Sequence, residues 1–325
     1  MIEPCMLRGF FLPCTPCGRF AIIVTRKRKE KKTMPGSSST QKSQDGEPLL
    51  RNISDTARWV AAYRARESER PDALFKDPYA RKLAGDRGEE IARSMPFAER
   101  HAWPYVARTL NFDRIITQQI KEGADMVINL AAGLDARPYR MELPPQLQWV
   151  EVDLAPLTDY KEEILAGEKP RCQLRRVRMD LSDREKRQQL FQELDTQSKK
   201  ALIVTEGLLI YLSPEDVLDF GRDLAAQPSF RDWAIDLASP GLLKMLQKNL
   251  GALEKAGSPL KFAPAEGPEY FNACGWKPVE IYSMIKTAAK VKRLPWSLRF
   301  FSWLPESNGK QGGRPWSAVC HLTRI

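Results

Sequence analysis

Between residues 126 and 237, five short runs of aliphatic and β-branched residues alternate with helical segments. That alternation constrains the fold more than any other feature of the chain. Residues 126–130, 148–152, 175–179, 201–205 and 233–237 read as strands. Residues 156–166 and 183–195, and a segment opening at Pro214, read as the helices between them. This order builds βαβ units and a mostly parallel, Rossmann-like sheet. In such a sheet, ligands sit in a crevice outside the carboxyl ends of the strands.

About 70 residues of helical pattern precede the first strand. Ser54 or Asp55 is a candidate cap for a helix whose apolar face holds Ala57, Val60, Ala61 and Tyr63. Asp77-Pro78-Tyr79 opens a short second helix. A long helix over 99–122 carries Val106, Leu110, Ile115 and Ile116 at helical spacing. After residue 238, helices are expected near 241–256 and 266–274. Residues 277–285 and 317–322 are expected as late strands, an antiparallel pair. Trp296, Phe300, Phe301 and Trp303 between them read as core rather than as a pocket wall. The expected organisation is a tail and linker over 1–50, a helical N-terminal cap over 51–124, and an α/β core with substrate-pocket insertions over 125–325.

The net charge is +10, with nine Lys/Arg against four Asp/Glu in residues 1–50. The run Arg26-Lys27-Arg28-Lys29-Glu30-Lys31-Lys32 could touch nucleic acid or an anionic membrane, but its composition reads first as a solvated, disordered tail. No aromatic-rich basic face accompanies it, so no specific nucleic acid is expected. Met34 opens a linker rich in small polar residues and is a possible true start. No run approaches the ~20 apolar residues of a membrane span, so the chain reads as soluble and cytoplasmic. Cys14 and Cys17 form a CxxC without a second ligand pair, so no metal is expected. Cys172, Cys274 and Cys320 read as reduced thiols.

The chemistry is carried by what stands at the strand ends. Strand one ends in Ala131-Ala132-Gly133-Leu134-Asp135, strand two in Glu151-Val152-Asp153, strand three in Asp180-Leu181, and strand four in Glu206-Gly207. Four carboxyl ends with acids or glycine line one crevice, and this suits S-adenosylmethionine. Gly133 lets a ligand lie against backbone. Asp153, better placed than Glu151, can accept from both ribose hydroxyls. Asp180 can accept from the adenine amine, and Leu181 can offer a backbone N–H and apolar cover. Glu206 adds negative charge near the amino or sulfonium end. Arg108 on the long helix can fork onto the ligand's carboxylate. The Gly-x-Gly-x-x-Gly of dinucleotide enzymes and the P-loop are both absent.

The segments Leu130-Ala-Ala-Gly-Leu-Asp-Ala-Arg-Pro-Tyr-Arg140, Glu151-Val-Asp-Leu154, Met179-Asp-Leu181 and Thr205-Glu-Gly-Leu-Leu-Ile-Tyr-Leu212 together resemble the leucine carboxyl methyltransferase-like family, which includes bacterial polyketide-type O-methyltransferases. Arg64-Ala-Arg-Glu-Ser68 and Asp77-Pro-Tyr-Ala80 fit it as well. The resemblance covers roughly residues 54–240. It implies a class I methyltransferase fold and cofactor contacts from Arg108, Gly133, Asp153, Asp180, Leu181 and Glu206. One departure is that Ala131 stands where the family often has Gly or Ser.

Methyl transfer from a sulfonium is an in-line displacement of an already activated group, so a carboxylate acceptor needs no base, whereas a hydroxyl does. Tyr211, just past strand four, is the candidate to orient an acceptor. His101 reads as a surface residue at a helix start. The expected activity is O-methylation of a carboxylate or hydroxyl on a small, polyketide-like molecule. The alternatives are a protein C-terminal carboxyl methyltransferase and a non-catalytic methyltransferase-like binding protein.

Overall fold

A computed structural model describes residues 53–94, 102–249, 259–305 and 313–325. The expectations for the tail over 1–50, its CxxC pair and His101 lie outside these residues, as does the end of the helix expected over 241–256.

Seven strands form one sheet in the order β3-β2-β1-β4-β5-β7-β6. They are β1 Met126–Leu130, β2 Gln148–Asp153, β3 Gln173–Arg178, β4 Ala201–Thr205, β5 Phe230–Ala238, β6 Trp276–Ser283 and β7 Ser317–Arg324. The pairs β1–β2, β1–β4, β2–β3 and β4–β5 are parallel. Strand β7 runs antiparallel between β5 and β6. This is the mostly parallel Rossmann-like sheet with antiparallel late pairing that the alternation predicts. Strands β1 and β4 are buried along their whole length, as a sheet covered on both faces requires.

The helices are α1 Ile53–Ser68, α2 Ala80–Ser94, α3 Trp103–Lys121, α4 Arg137–Arg140, α5 Ala155–Ile164, α6 Arg184–Gln197, α7 Pro214–Ala225, α8 Pro240–Asn249 and α9 Met284–Lys290. One face of the sheet packs Ile128, Val150, Ile203 and Ile235 against Leu190 and Phe191 of α6 and Val217 and Phe220 of α7. The other packs Val127, Trp149, Leu202 and Ala234 against Phe112 and Ile116 of α3 and Met284 of α9. A third apolar cluster joins α1 and α2 to Leu134, Tyr139 and Leu157. Helix α1 begins at Ile53, so Ser54 and Asp55 lie inside its first turn rather than capping it. The second helix runs to Ser94, longer than expected, and kinks at Gly85 (φ 58°).

Two arginine clamps tie α1 to the rest. Arg64 Nε donates to Asp77 Oδ2 at 2.9 Å and Nη2 to the carbonyl of Leu134 at 2.5 Å. Arg293 donates to both oxygens of Glu67, Nε at 2.9 Å and Nη2 at 2.8 Å, and Nη1 to Asp72 at 2.9 Å.

The expectation that Trp296, Phe300, Phe301 and Trp303 belong to the core is overturned. Trp296 is 82% exposed and Trp303 86%. Leu294 is buried and Leu298 packs on the α3–α9 face of the core. These two leucines anchor the segment and leave its aromatic side chains outward. The apolar composition predicted burial, but the inward positions are already filled by the leucines.

Candidate functional site

After β1 the chain turns through Ala131 (φ 55°) and Gly133 (φ 54°), both left-handed. Glycine enters this region freely, whereas alanine pays a steric penalty of about 1–2 kcal/mol. A Cβ on Gly133 would meet the Ala57 methyl at 3.7 Å and the Ala131 carbonyl oxygen at 4.0 Å, both ordinary contacts, so backbone conformation rather than crowding calls for glycine there. The Gly133 N–H donates to Asp153 Oδ2 at 2.6 Å, and the Leu154 N–H donates to Oδ1 at 2.7 Å. Asp153 thus joins the tips of β1 and β2. Burial pushes its carboxyl up, against the lowering effect of these two bonds. Glu151, two residues earlier, is a core residue that accepts from Lys161 Nζ at 2.7 Å and from Arg176 Nε at 2.9 Å. Only Asp153 of the two stands at the crevice.

Past β3, Asp180 is exposed and accepts from the Ser182 N–H at 2.9 Å. Leu181 is half-buried against the sheet core, and its carbonyl accepts from Arg187 Nη1 at 2.7 Å.

The end of β4 holds the densest charge. Glu206 Oε1 accepts from Arg108 Nε at 3.0 Å, and its Oε2 from Arg137 Nη1 at 2.8 Å. Arg108 Nη1 also reaches Asp236 Oδ2 at 3.4 Å. Asp236 Oδ1 accepts from the Gly207 N–H at 2.7 Å. Arg137 further donates to Asp135 at 2.9 Å and to Asp113 at 2.6 Å. The structure therefore brings Arg108 and Glu206 into contact, as it does Gly133 and Asp153.

Desolvation opposes ionisation throughout this cluster. For Glu206 the neighbouring Arg137 and Arg108 outweigh it and hold the carboxyl below its ordinary value. The same balance, struck mainly by Arg137, holds Asp135 well below the usual carboxylate range. For Asp236 burial wins over Arg108 and the Gly207 N–H, and the carboxyl is pushed up.

Tyr211 ends a short 3-10 turn, Leu209–Tyr211. It packs in the α1 cluster with Trp59, Tyr63 and Tyr105. The rings of Tyr63 and Tyr105 stack at 5.0 Å, and the Arg108 guanidinium lies 5.5 Å from the Tyr105 ring. Burial raises the phenols of Tyr63, Tyr105 and Tyr211.

Sequence reasoning left Asp135, Arg137, Asp113, Asp236 and Arg64 without roles. Asp135 and Arg137 stood in the family-like motif without an assigned contact. Asp236 was hidden inside a strand pattern, although it lies one residue past the Thr205↔Ile235 pairing of β4 and β5. Asp113 carries no local signal, and Arg64, although it stands in a family-like segment, does not announce the Leu134 carbonyl 70 positions away. Among the described residues no group of three or more His, Cys, Asp or Glu is arranged to hold a metal. No helix there is long and apolar enough to cross a membrane.

The model of the leucine carboxyl methyltransferase family matches residues 57–220. A Mycobacterium tuberculosis protein, provisionally named an S-adenosyl-L-methionine-dependent methyltransferase, is 30% identical over 260 residues, 72% of this chain and 79% of that protein. A similarly named Mycolicibacterium paratuberculosis protein is 34% identical over 191 residues, 54% of this chain and 63% of its own length. A DUF574 family protein from Streptomyces avermitilis superposes with a TM-score of 0.53 at 14% identity, covering 83% of this chain and 97% of that one. A protein from Thermobifida fusca, provisionally named a methyltransferase, gives 0.50 at 17% identity, covering 85% and 96%. At these identities the two structures bear on the fold alone.

Proposed function

This chain belongs to the leucine carboxyl methyltransferase family of S-adenosylmethionine-dependent methyltransferases, and on that premise we propose that it methylates a carboxylate oxygen of a small, polyketide-like organic acid. When bound, S-adenosylmethionine supplies a methyl group already activated on a sulfonium, so positioning and exclusion of water supply most of the catalysis.

The residues of the crevice fit that cofactor. The left-handed Gly133 exposes backbone beside Asp153, and Asp153 is the acceptor for ribose hydroxyls. Asp180 is the acceptor for the adenine amine, and Leu181 is its apolar cover. Arg108 uses Nε and Nη1 for Glu206 and Asp236, which leaves Nη2 for the carboxylate of the methionine end. Glu206 and Asp236 provide the negative field that an ammonium and a sulfonium need.

The acceptor side carries the choice of oxygen. Tyr105 lies against Arg108, Tyr63 stacks on it and Tyr211 shares their cluster; a phenol is protonated at neutral pH, and burial raises all three further. A protonated phenol donates a hydrogen bond and does not take up a proton. Such a wall suits an acceptor that arrives ionised, and Tyr211 is the residue that would orient it.

The test has two stages. Calorimetric titration with S-adenosylmethionine should give micromolar binding, weakened about tenfold in Asp180→Ala, the loss of one charge-assisted hydrogen bond. Folded protein that does not bind would overturn the cofactor assignment. Transfer of labelled methyl to a panel of small acids and phenols then identifies the oxygen. A methyl ester releases methanol in mild alkali and an ether does not, so an alkali-stable product would replace the carboxylate reading with a hydroxyl one.

A further inference from the structure

We propose that the segment 290–304 is a docking surface for an anionic phospholipid bilayer. This surface takes no part in the methyl-transfer chemistry, and exposure, anchoring and charge mark it.

Five large apolar side chains stand out within nine residues. Beside the two tryptophans, Phe300 is 69% exposed, Phe301 52% and Leu304 44%. Monomeric proteins rarely leave such a group in water without a use for it. The segment is not loosely attached. Leu294 and Leu298 pin it to the core, and the Arg293 clamp on Glu67 and Asp72 fixes its start. The aromatics are therefore presented by a rigid base. Tryptophan and phenylalanine are the residues that favour the headgroup–acyl boundary.

Charge selects the occupant. Residues 284–305 contain five cations (Lys286, Lys290, Lys292, Arg293 and Arg299) and no Asp or Glu. The next acid, Glu306, lies outside the described residues. Lys290, Lys292 and Arg299 are exposed, and no ion pair among the described residues involves them. The nearby acids are neutralised: Glu67 and Asp72 by Arg293, and Glu69 by Arg81. A second copy of this chain would set these cations against their own counterparts. The chain's own residues 1–50, at net +5, would meet the same repulsion. A surface of anionic headgroups over an apolar interior complements both the cations and the aromatic rings.

The test is vesicle binding by the full chain, with phosphatidylcholine vesicles compared with vesicles containing about one-third phosphatidylserine. Expected is binding to the anionic vesicles only, weakened about tenfold or more by Trp296→Ser with Trp303→Ser, and also by Lys292→Glu with Arg299→Glu. All four sites are exposed, so thermal unfolding of these variants should match the wild type. Vesicles with brominated acyl chains give a variant-free arm. Trp59, Trp149, Trp233, Trp276 and Trp316 are buried and Trp103 is half-buried, so quenching of wild-type fluorescence would report chiefly the exposed pair. Absence of binding overturns the proposal. So does binding that survives the tryptophan substitutions, which would assign it to the basic run at residues 26–32. Self-association abolished by the tryptophan variant, without vesicle binding, would instead assign the patch to a second copy.

Discussion

Arg108 on α3 holds Glu206 at the tip of β4 across 98 positions of sequence, Nε to Oε1 at 3.0 Å. The pair sets the charge of the crevice before any ligand arrives, and it can be dissected with partial ligands. Arg108→Lys keeps the charge but loses the planar fork. S-adenosylmethionine affinity is expected to fall about tenfold or more, while adenosine, which lacks the methionine end, should bind as before. Equal losses for both ligands would show that Arg108 supports the whole site and not its carboxylate end.

Asp153 makes the reciprocal case. Asp153→Ala removes the acceptor of two backbone N–H groups along with the proposed ribose contact. Adenosine and S-adenosylmethionine should weaken in parallel, by roughly 1.5–3 kcal/mol each. Parallel calorimetric titrations of the two ligands check this.

Arg137 faces Asp135, Asp113 and Glu206 together. All three carboxyls are held below their ordinary values, so their contribution to stability is present above about pH 4–5 and lost as the pH falls through the lowered values. Arg137→Met should cost about 3–5 kcal/mol at neutral pH. The loss should also shrink on acidification, because carboxyls left buried without this cation titrate higher and the wild type gives up its own contribution at low pH. Denaturant midpoints between about pH 2 and 7, measured for both proteins, test the sign.

Tyr211→Phe removes a hydroxyl and little volume. If the phenol orients the acceptor, kcat/KM for the acceptor should fall about tenfold with cofactor affinity unchanged. Because burial raises this phenol, the wild-type rate profile should show no limb from it between pH 7 and 9. A fall in cofactor affinity alone would relocate Tyr211 to the other side of the reaction.

Ala131 is a left-handed alanine at the head of the loop after β1. Ala131→Gly should stabilise the fold by roughly 0.5–1 kcal/mol, the steric relief less the extra freedom of the unfolded chain. Gly133→Ala should destabilise it by about 1–2 kcal/mol. Thermal unfolding of both variants tests the pair.

The strands were legible because each is a short, wholly or half-buried run with polar punctuation. The ends of β1 and β4 agree with the sequence reading to the residue. The placement of Gly133, Asp153, Asp180 and Glu206 past the carboxyl ends of the strands was legible for the same reason, since parallel strands bring those ends together whatever the spacing. What stayed hidden was pairing. Asp135 stands two residues before Arg137, but nothing near them announces Asp113 and Glu206 as further partners, and Arg64 gives no sign of reaching the Leu134 carbonyl. The outward turn of Trp296 and Trp303 was hidden as well, because composition records that a residue is apolar and not which neighbours have already filled the interior.

The Arg293 clamp has a consequence for how the chain is made. Glu67 is almost fully buried, and the cation that grips both its oxygens lies 226 positions later. During synthesis, which proceeds from the N-terminus, α1 can coil early but cannot bury that carboxylate with its partner until nearly the whole protein has left the ribosome. Closing so long a loop comes late by its nature. The first helix is therefore among the last parts to lock, and a ribosome stalled before residue 293 would hold a chain whose parallel strands β1 to β5 can pair while its opening helix still lacks its hold.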